Sequence, residues 1–483
     1  MTFIIPPSPF LLDERVFMSL GILKVAAVAR QQGSTPKVLD LSGVRNYLDV
    51  IRDVLSSTPP NSTFAITSTT PQFPSVFEIC ALLRSHGHKV ILGGPHPTMV
   101  MSAHKRGLER ARMHADRVLT CADTVVTGDG ELAFKQALEL TERGGGWLDA
   151  DDPKTGLFMT HDQFNDSPWP ARDLVDVESY HYEISGKRSM SVIGQLGCPM
   201  ACAFCSGRNS PTFRRIRLRS AGNVVAEIEH LVKEYEAEGI MFYDDELNIN
   251  NAFTELMNSL TDMQMRLGRD LAFRGFVKSE LFTENHAKLM AQAGFKTLLS
   301  GFESASPRIL ENINKKATID DNTRCLNVAR KHGIHMKALM SIGHAGESEE
   351  TIDATRQWLL TERPEDFDIT IITVLPGSPY FDSSVKVPHP LSEPHWVYTA
   401  KNGDKLYSID IDYSKTMDYY KGVPGEYTAF VYTDELEPKT LVRMREEVES
   451  EVRPKLGLPP LQLVAAKNYD HSMGAIPAHI MKS

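Results

Sequence analysis

Three of the six cysteines in this 483-residue chain fall within eight positions, in the run Gly197-Cys198-Pro199-Met200-Ala201-Cys202-Ala203-Phe204-Cys205. The spacing is C-x3-C-x2-C. Thiolates are the soft ligands that iron–sulfur clusters, zinc and copper(I) prefer. Three thiolates from one loop can take three corners of a four-iron cubane and leave the fourth iron open. An open position is what separates a catalytic metal centre from a closed structural one. Cys80, Cys121 and Cys325 stand alone, in apolar or helical contexts that suit plain buried thiols. The alternative is a zinc site completed by a distant His or Asp.

The elements that must position this loop follow from periodicity. Strand-like segments at 191–195, 239–243, 272–277, 297–299, 335–342 and 369–374 alternate with helical stretches at 221–238, 253–266, 285–294, 320–333 and 349–361. Six βα repeats fall short of the eight that close a barrel, so a partial (β/α)6 TIM barrel is expected, with chemistry at the strand C-termini. The cysteine run follows its first strand. A second alternating series occupies residues 2–141, with strands near 2–5, 37–41, 64–68, 89–92 and 124–127. It predicts an α/β, doubly wound Rossmann-like parallel sheet of five strands. Ligands in such sheets bind at the carboxyl edge of the strands. Three of those edges are rich in small or turn-forming residues: Thr67-Ser68-Thr69-Thr70, Gly93-Gly94-Pro95-His96 and Gly128-Asp129-Gly130-Glu131. The expected organisation is a sheet domain over 1–145, a linker over 146–185, the barrel over 186–382 and a small α/β cap over 383–483.

Composition sets the outer limits. With 42% hydrophobic and 24% charged residues the chain can bury a core in each domain, which excludes a disordered or disulfide-stapled protein. The 62 acidic and 52 basic residues leave a net charge of −10, so no general basic field invites nucleic acid or anionic lipid. No run reaches the roughly 18 apolar residues of a membrane span, and the N-terminus lacks a signal-like basic and apolar pair. A cytoplasmic protein is expected, where clustered cysteines serve metal or redox chemistry rather than disulfides.

The cysteine motif resembles that of radical S-adenosylmethionine (SAM) enzymes, and the likeness extends along the barrel series. Tyr243-Asp244-Asp245-Glu246 resembles the acidic motif that holds the methionyl amine. Ser300-Gly301-Phe302-Glu303-Ser304 resembles the G-x-E-S segment near the ribose. Ile342-Gly343-His344-Ala345-Gly346-Glu347 resembles the turn near the adenine, with Ala345 in place of the common proline. Val374-Leu375-Pro376-Gly377 resembles the turn after the sixth strand. The resemblance implies a 4Fe-4S cluster on Cys198, Cys202 and Cys205. It implies a SAM site at Phe204, Asp244, Asp245, Glu246, Lys278, Ser300, Glu303, Ser304, Gly343, Glu347 and Pro376, with Lys278 where many relatives carry Arg. Carboxylates at strand ends suit a ligand that bears an ammonium, a ribose and a sulfonium.

A parallel sheet preceding such a barrel resembles the cobalamin-binding domain of a large subclass, as does the linker run Pro168-Trp169-Pro170-Ala171-Arg172-Asp173. The implied cobalamin contacts are Pro7, Ser8, Ser68, Thr69, Gly93, Gly94, Pro95, His96, Gly128, Gly130 and Glu131, with glycines allowing close backbone approach to the corrin. None of the 16 histidines has Asp two positions before it, so a D-x-H-x-x-G cobalt ligand is absent. The implied function is a cobalamin-dependent radical SAM methyltransferase. It would methylate an unactivated carbon of a small-molecule or peptide substrate by way of methylcobalamin and a 5′-deoxyadenosyl radical, with flavodoxin or ferredoxin as electron donor. A cyclisation or ring contraction on the same scaffold, and a cobalamin or redox sensor, are the alternatives. A methylthiotransferase is disfavoured because the N-terminal half lacks three cysteines for a second cluster.

Overall fold

The computed structural model describes residues 1–9, 11, 13–388, 395–419 and 427–459. The N-terminal domain is built on a wholly parallel sheet of β1 (Thr2–Ile5), β2 (Lys37–Asp40), β3 (Thr63–Thr67), β4 (Lys89–Gly93), β5 (Thr124–Gly128) and β6 (Gly146–Ala150). Its order is β2-β1-β3-β4-β5-β6, so the winding reverses between β1 and β3. The central strands are apolar runs buried on both faces, as a parallel sheet covered by helices demands.

The sequence predicts five strands, and the structure corrects this to six. Gly146–Ala150 pairs with β5 from Thr124↔Gly146 to Gly128↔Ala150, so the sheet runs past residue 145 into the expected linker. Gly144-Gly145-Gly146 reads in sequence as the start of the linker, but the glycine at 145 answers a steric demand. A Cβ on Gly145, at φ +83°, would lie 2.0 Å from the Asp123 carbonyl oxygen.

The remainder of the linker is a strap across both domains. Arg172 is buried, donates to the Ser191 carbonyl at 2.8 Å and pairs with Glu227 of the helix Ala221–Tyr235 at 2.7 Å. Its neighbour Asp173 takes a two-pronged bond from Arg30 of the helix Leu20–Gln31.

The second sheet carries β7 (Glu183–Ile184) as an antiparallel edge and six parallel strands, β8 (Lys187–Val192), β11 (Gly239–Phe242), β12 (Ala272–Phe276), β13 (Phe295–Glu303), β14 (His335–Ile342) and β15 (Asp366–Ile371). A short pair, β9 (Gln195–Leu196) and β10 (Arg217–Leu218), stands apart from it. The partial (β/α)6 barrel is therefore present. Several of its helices start on side-chain caps: Thr283, Thr318 and Ser348 each close a capping box.

The helix Pro438–Leu456 is expected in a separate cap. Instead it packs on β15 and on the helix Glu349–Glu362, with Leu441, Val448 and Val452 in the barrel core. It is the sixth barrel helix, delivered after an excursion of some sixty residues that the periodicity of either end cannot reveal. That excursion forms an antiparallel sheet of β16 (Val385–Val387), β17 (His395–Thr399), β18 (Lys405–Ser408) and β19 (Val431–Tyr432). It also sends Ile411, Tyr413 and Tyr419 into the core of the N-terminal domain. The sequence also offers Trp396, Tyr398, Tyr419 and Tyr420 as aromatics for a substrate entrance, with core or interface as the commoner role; Trp396 and Tyr419 are core, Tyr398 is half-buried and Tyr420 lies outside the described residues. No helix among the described residues is long and apolar enough to cross a membrane.

Candidate metal and nucleoside site

The cysteine loop leaves the barrel through Gly197, whose φ of +86° and close approach exclude a side chain: a Cβ there would sit 2.2 Å from the Arg215 carbonyl oxygen. β9 and β10 zip its two ends together. Within the loop, Cys198 N donates to Phe213 O at 2.9 Å and Ala203 N to Ile313 O at 2.9 Å, while the Asn314 side-chain amide donates to Ala201 O at 2.9 Å. The backbone is thus held from three sides with the thiols left over.

Burial pushes the Cys198 thiol up to about 11 and raises Cys202. Cys205 reaches the open side of the site, yet protein atoms crowd it enough to raise its thiol as well. These thiols stay protonated alone, and a bound cationic cluster is what would ionise them. Among the described residues no three His, Cys, Asp or Glu side chains converge as single-ion ligands do. A cubane takes one thiolate per iron and so asks for separated sulfurs.

Charged side chains face this loop from the strand ends. Cys202 feels the fields of Lys315, Lys278, Glu303 and Glu246, and Cys198 those of Glu246 and Asp245. Asp244 is fully buried after β11 and accepts from Gly194 N at 2.7 Å. Burial lifts it to about 7, and does the same to Glu246, against which Lys315 and Lys278 pull downward. Asp245 is more open but crowded enough to be pushed to about 6. Asp244 Oδ2, Glu246 Oε2 and Ser300 Oγ are buried with no hydrogen-bond partner. Such orphans are costly unless a ligand completes them. Together with the two lysines they fit a ligand carrying both an ammonium and a carboxylate.

Lys278 pairs with Glu280 at 2.7 Å, and its backbone is read in strand fashion by the Asn248 side chain. Glu303 ends β13 at φ +62°, where the register slips against β14. A left-handed non-glycine residue is held there only by surrounding bonds, and Glu303 has two: Lys315 Nζ at 3.1 Å and Ser341 Oγ at 2.7 Å. Gly301 is glycine because that ion pair lies over it: a Cβ there would meet Glu303 Oε1 at 2.5 Å and Lys315 Nζ at 2.9 Å. Phe204 lies 5.5 Å from the His344 ring, and the Pro376 turn packs through Gly377 on Ser206 of the cysteine loop.

Two expected contacts turn elsewhere. The Ser304 hydroxyl meets Thr355 at 3.3 Å and caps Ser306 N, inside the core. The Glu347 carboxylate closes its own turn, accepting from Gly343 N at 3.1 Å and from the Thr351 hydroxyl. Lys315 has no signature in sequence, because Lys315-Lys316 reads as an ordinary solvated pair. In the structure it is buried, flanked by Asn314 and Lys316 in left-handed conformations. Burial would lower its ammonium, but Glu303, Cys202 and Glu246 outweigh that and raise it.

At the N-terminal sheet, Pro7, Ser8, Ser68, Thr69, the Gly93–His96 run and Gly128 share the carboxyl edge of β1, β3, β4 and β5. Gln72, unanticipated from sequence, ties them together through Ser8 Oγ at 2.8 Å, Thr69 Oγ1 at 2.9 Å and Pro6 O. Several expected roles differ here. A Cβ on Gly94 would lie 2.5 Å from Thr67 Oγ1 and one on Gly128 2.4 Å from the Ala150 backbone, so both glycines serve the sheet's own packing. Gly130 packs against Val25, and Glu131 pairs with Lys24 beneath the first helix. His96 is buried against Phe73 and Thr70, and burial holds its imidazole down near 3. A Cβ on Gly93 would meet the Val126 carbonyl oxygen at 3.8 Å, an ordinary contact that leaves room for a methyl group.

The two edges meet. Asp151 after β6 accepts from Ser210 Oγ at 2.6 Å and Thr212 N at 2.9 Å, Asp129 after β5 pairs with Arg217, and Ser102 donates to Asn209 O. All four partners lie in the segment that follows the third cysteine. Beside the loop opens a cavity of about 720 Å³ lined by Ala201, Ala203, Arg208, Lys316, Tyr398 and Lys401 among others.

Residues 192–359 match the family described as the Radical SAM superfamily. An uncharacterized methyltransferase of Pyrococcus horikoshii is 27% identical over 384 residues, which cover 76% of this chain and 78% of the relative. The bacteriochlorophyllide d C-12(1)-methyltransferase of Chlorobaculum tepidum is 24% identical over 66% of this chain and 64% of its own length. The radical S-adenosylmethionine methyltransferase TsrM from Kitasatospora setae, solved with cobalamin and a 4Fe-4S cluster bound, superposes with a TM-score of 0.60 at 17% identity, over 78% of this chain and 76% of that one. That last likeness is one of fold. Residues 192–359, with three cysteines on the loop after the first barrel strand, therefore form a radical SAM domain, a Rossmann-like sheet is docked against that loop, and the chain shares its fold with a methyltransferase solved with cobalamin bound.

Proposed function

We propose that the protein is a cobalamin-dependent radical SAM methyltransferase acting on an unactivated carbon. The observation that carries this reading is the docking of the N-terminal sheet's carboxyl edge onto the cysteine loop through Asp129, Asp151 and Ser102. It lets a corrin on that edge and a cluster on that loop share one space. The bound groups supply the radical and carry the methyl group. The chain's own part is to hold them and keep water out. Cys198, Cys202 and Cys205 would hold the cluster. Asp244, Glu246, Ser300 and Glu303, with Lys278 and Lys315 balancing their charge, would hold the methionyl and ribose end of SAM. Pro7, Ser8, Thr69 and Gly93 are the parts of the N-terminal edge left to meet the corrin. The cavity under Tyr398 offers room for a small-molecule or peptide substrate. A cytoplasmic setting and a flavodoxin- or ferredoxin-type donor belong to the same reading.

The test is anaerobic reconstitution with iron and sulfide, with and without cobalamin, followed by incubation with methyl-labelled SAM and candidate substrates. The expected result is 5′-deoxyadenosine together with a product heavier by one labelled methyl, formed only when cobalamin is present. A product of unchanged carbon count would replace methylation by a rearrangement, and no 5′-deoxyadenosine at all would leave a non-enzymatic sensor.

A further inference from the structure

Behind Glu303 runs a chain of hydrogen bonds whose direction the geometry determines. Ser341 Oγ lies 2.7 Å from Glu303 Oε2, His344 Nε2 lies 2.8 Å from Ser341 Oγ, and His344 Nδ1 lies 3.1 Å from the Tyr380 hydroxyl. All are buried. Glu303 is ion-paired to Lys315 through its other oxygen, so it accepts, and Ser341 must give it its only proton. The serine oxygen is then an acceptor, which requires a proton on His344 Nε2. A neutral ring protonated there bears a lone pair on Nδ1, and the Tyr380 hydroxyl fills it. Burial supports the neutral form, holding the imidazole down near 4.

The residues come from four places: the end of β13, the end of β14, the turn after β14, and the short helix Pro379–Asp382. Tyr380 is itself locked to the cysteine loop, since its backbone N–H donates to Ala203 O at 3.1 Å. Its ring lies 4.7 Å from Tyr398, on the wall of the 720 Å³ cavity. Thus the aim of the strained Glu303 carboxylate depends on a proton direction set three hydrogen bonds away, beside the loop and the cavity.

The geometry points to His344 and Tyr380 as positioning residues that act through Ser341 to aim Glu303 at the ribose end of SAM. The inference rests on the reading of Glu303 as a SAM contact. Tyr380 selects the imidazole tautomer, His344 reserves the serine proton for Glu303, and the carboxylate is held at its unfavourable φ with its remaining lone pairs toward the ligand. Without the tyrosine hydroxyl the ring can take the other tautomer, and Ser341 can then donate to His344 instead.

Two measurements test this. In cluster-free protein labelled with 15N-histidine, the signal lost in His344→Gln identifies the ring. It should be the neutral Nε2–H tautomer from pH 8 to pH 5 and should shift toward the Nδ1–H form in Tyr380→Phe. A protonated ring, or no change in Tyr380→Phe, overturns the relay. In reconstituted protein, the SAM-induced change in the EPR spectrum of the reduced cluster gives Kd directly. His344→Leu should weaken SAM binding about tenfold and Tyr380→Phe several-fold, the scale of one hydrogen bond to a charged group. His344→Gln, whose amide can still donate to Ser341, should stay near wild type. The turnover number at saturating SAM should remain within about twofold of wild type in all three, a split that loss of folding would not produce. Unchanged Kd in His344→Leu overturns the proposal. If wild-type protein shows no SAM-induced spectral change, the functional reading fails and the positioning role falls with it, whereas the tautomer measurement still decides the hydrogen-bond chain.

Discussion

Asp129, just after the fifth strand of the N-terminal sheet, forms a buried ion pair with Arg217, twelve residues beyond the last cysteine of the triplet. Arg217 also donates to Thr212 O at 2.9 Å and lies over the Phe158 ring, while Asp129 accepts from Met159 N. A residue in a predicted cofactor turn is thereby a fastener between domains. Removing one member of a buried pair strands the other charge. Asp129→Asn should therefore lower the unfolding free energy by about 3 kcal/mol and slow iron incorporation, read by thermal melting and iron content. A variant that melts and loads like wild type would show that the pair does not hold the loop.

Alanine at Cys198, Cys202 or Cys205 should each remove cluster-dependent 5′-deoxyadenosine below detection. Alanine at Cys80, Cys121 or Cys325, all buried and outside the loop, should leave cluster content intact at a modest cost in stability. Iron and sulfide analysis with product quantification checks both groups. Cluster retention in Cys202→Ala would defeat the assignment.

Adjacent glycines should part company. Gly94→Ala places a Cβ 2.5 Å from Thr67 and 2.8 Å from Ser68 N at φ +102°, and should destabilise the cofactor-free protein by about 2 kcal/mol or more. Gly93→Ala meets no protein atom nearer than 3.8 Å and should melt as wild type does. If the corrin reaches that edge, Gly93→Ala alone should weaken cobalamin binding without touching stability. Melting curves and an optical cobalamin titration separate the two.

Glu347 gives a signed pH dependence. Burial raises its folded pKa to about 7, above the ordinary carboxylate value, so folding takes up a proton. Its contribution is fully present at pH values below the unfolded pKa near 4.5, and it fades as pH climbs through 7. Glu347→Gln keeps an acceptor for Gly343 N and cannot titrate. It should flatten that part of the stability profile between pH 5 and 8 and match or exceed wild type at pH 8. Glu347→Ala should instead be destabilised throughout, since Gly343 N loses its partner. A Gln variant with the wild-type slope would assign the titration to another group.

Much of the architecture was legible because it depends on local periodicity. The alternation of apolar strands with capped helices marks both parallel sheets, and the triple-cysteine spacing marks the loop after the first barrel strand. Gly146–Ala150 escaped because a strand entered through three glycines resembles a hinge until Asp123 is seen against Gly145. The helix Pro438–Leu456 escaped because nothing in its pattern says which sheet it covers.

The sequence by itself determined which chemistry the protein can host, because ligand type and spacing within one loop are local properties that survive without a fold. It also determined which strand ends would face that loop, through their acidic and glycine-rich turns. Only the tertiary structure decided what each of those residues does. Glu347 and Ser304 satisfy their own turns, Gly94 and Gly128 answer packing within the sheet, and Asp129 fastens two domains. Lys315 enters the site from a segment with no signature of its own, and His344 and Tyr380 enter from recognisable turns whose patterns give their side chains no role. The reason is that a buried polar group takes its role from whichever partner completes its hydrogen bonds, a partner four residues away for Glu347 and 88 for Asp129, and only the packed fold selects among them.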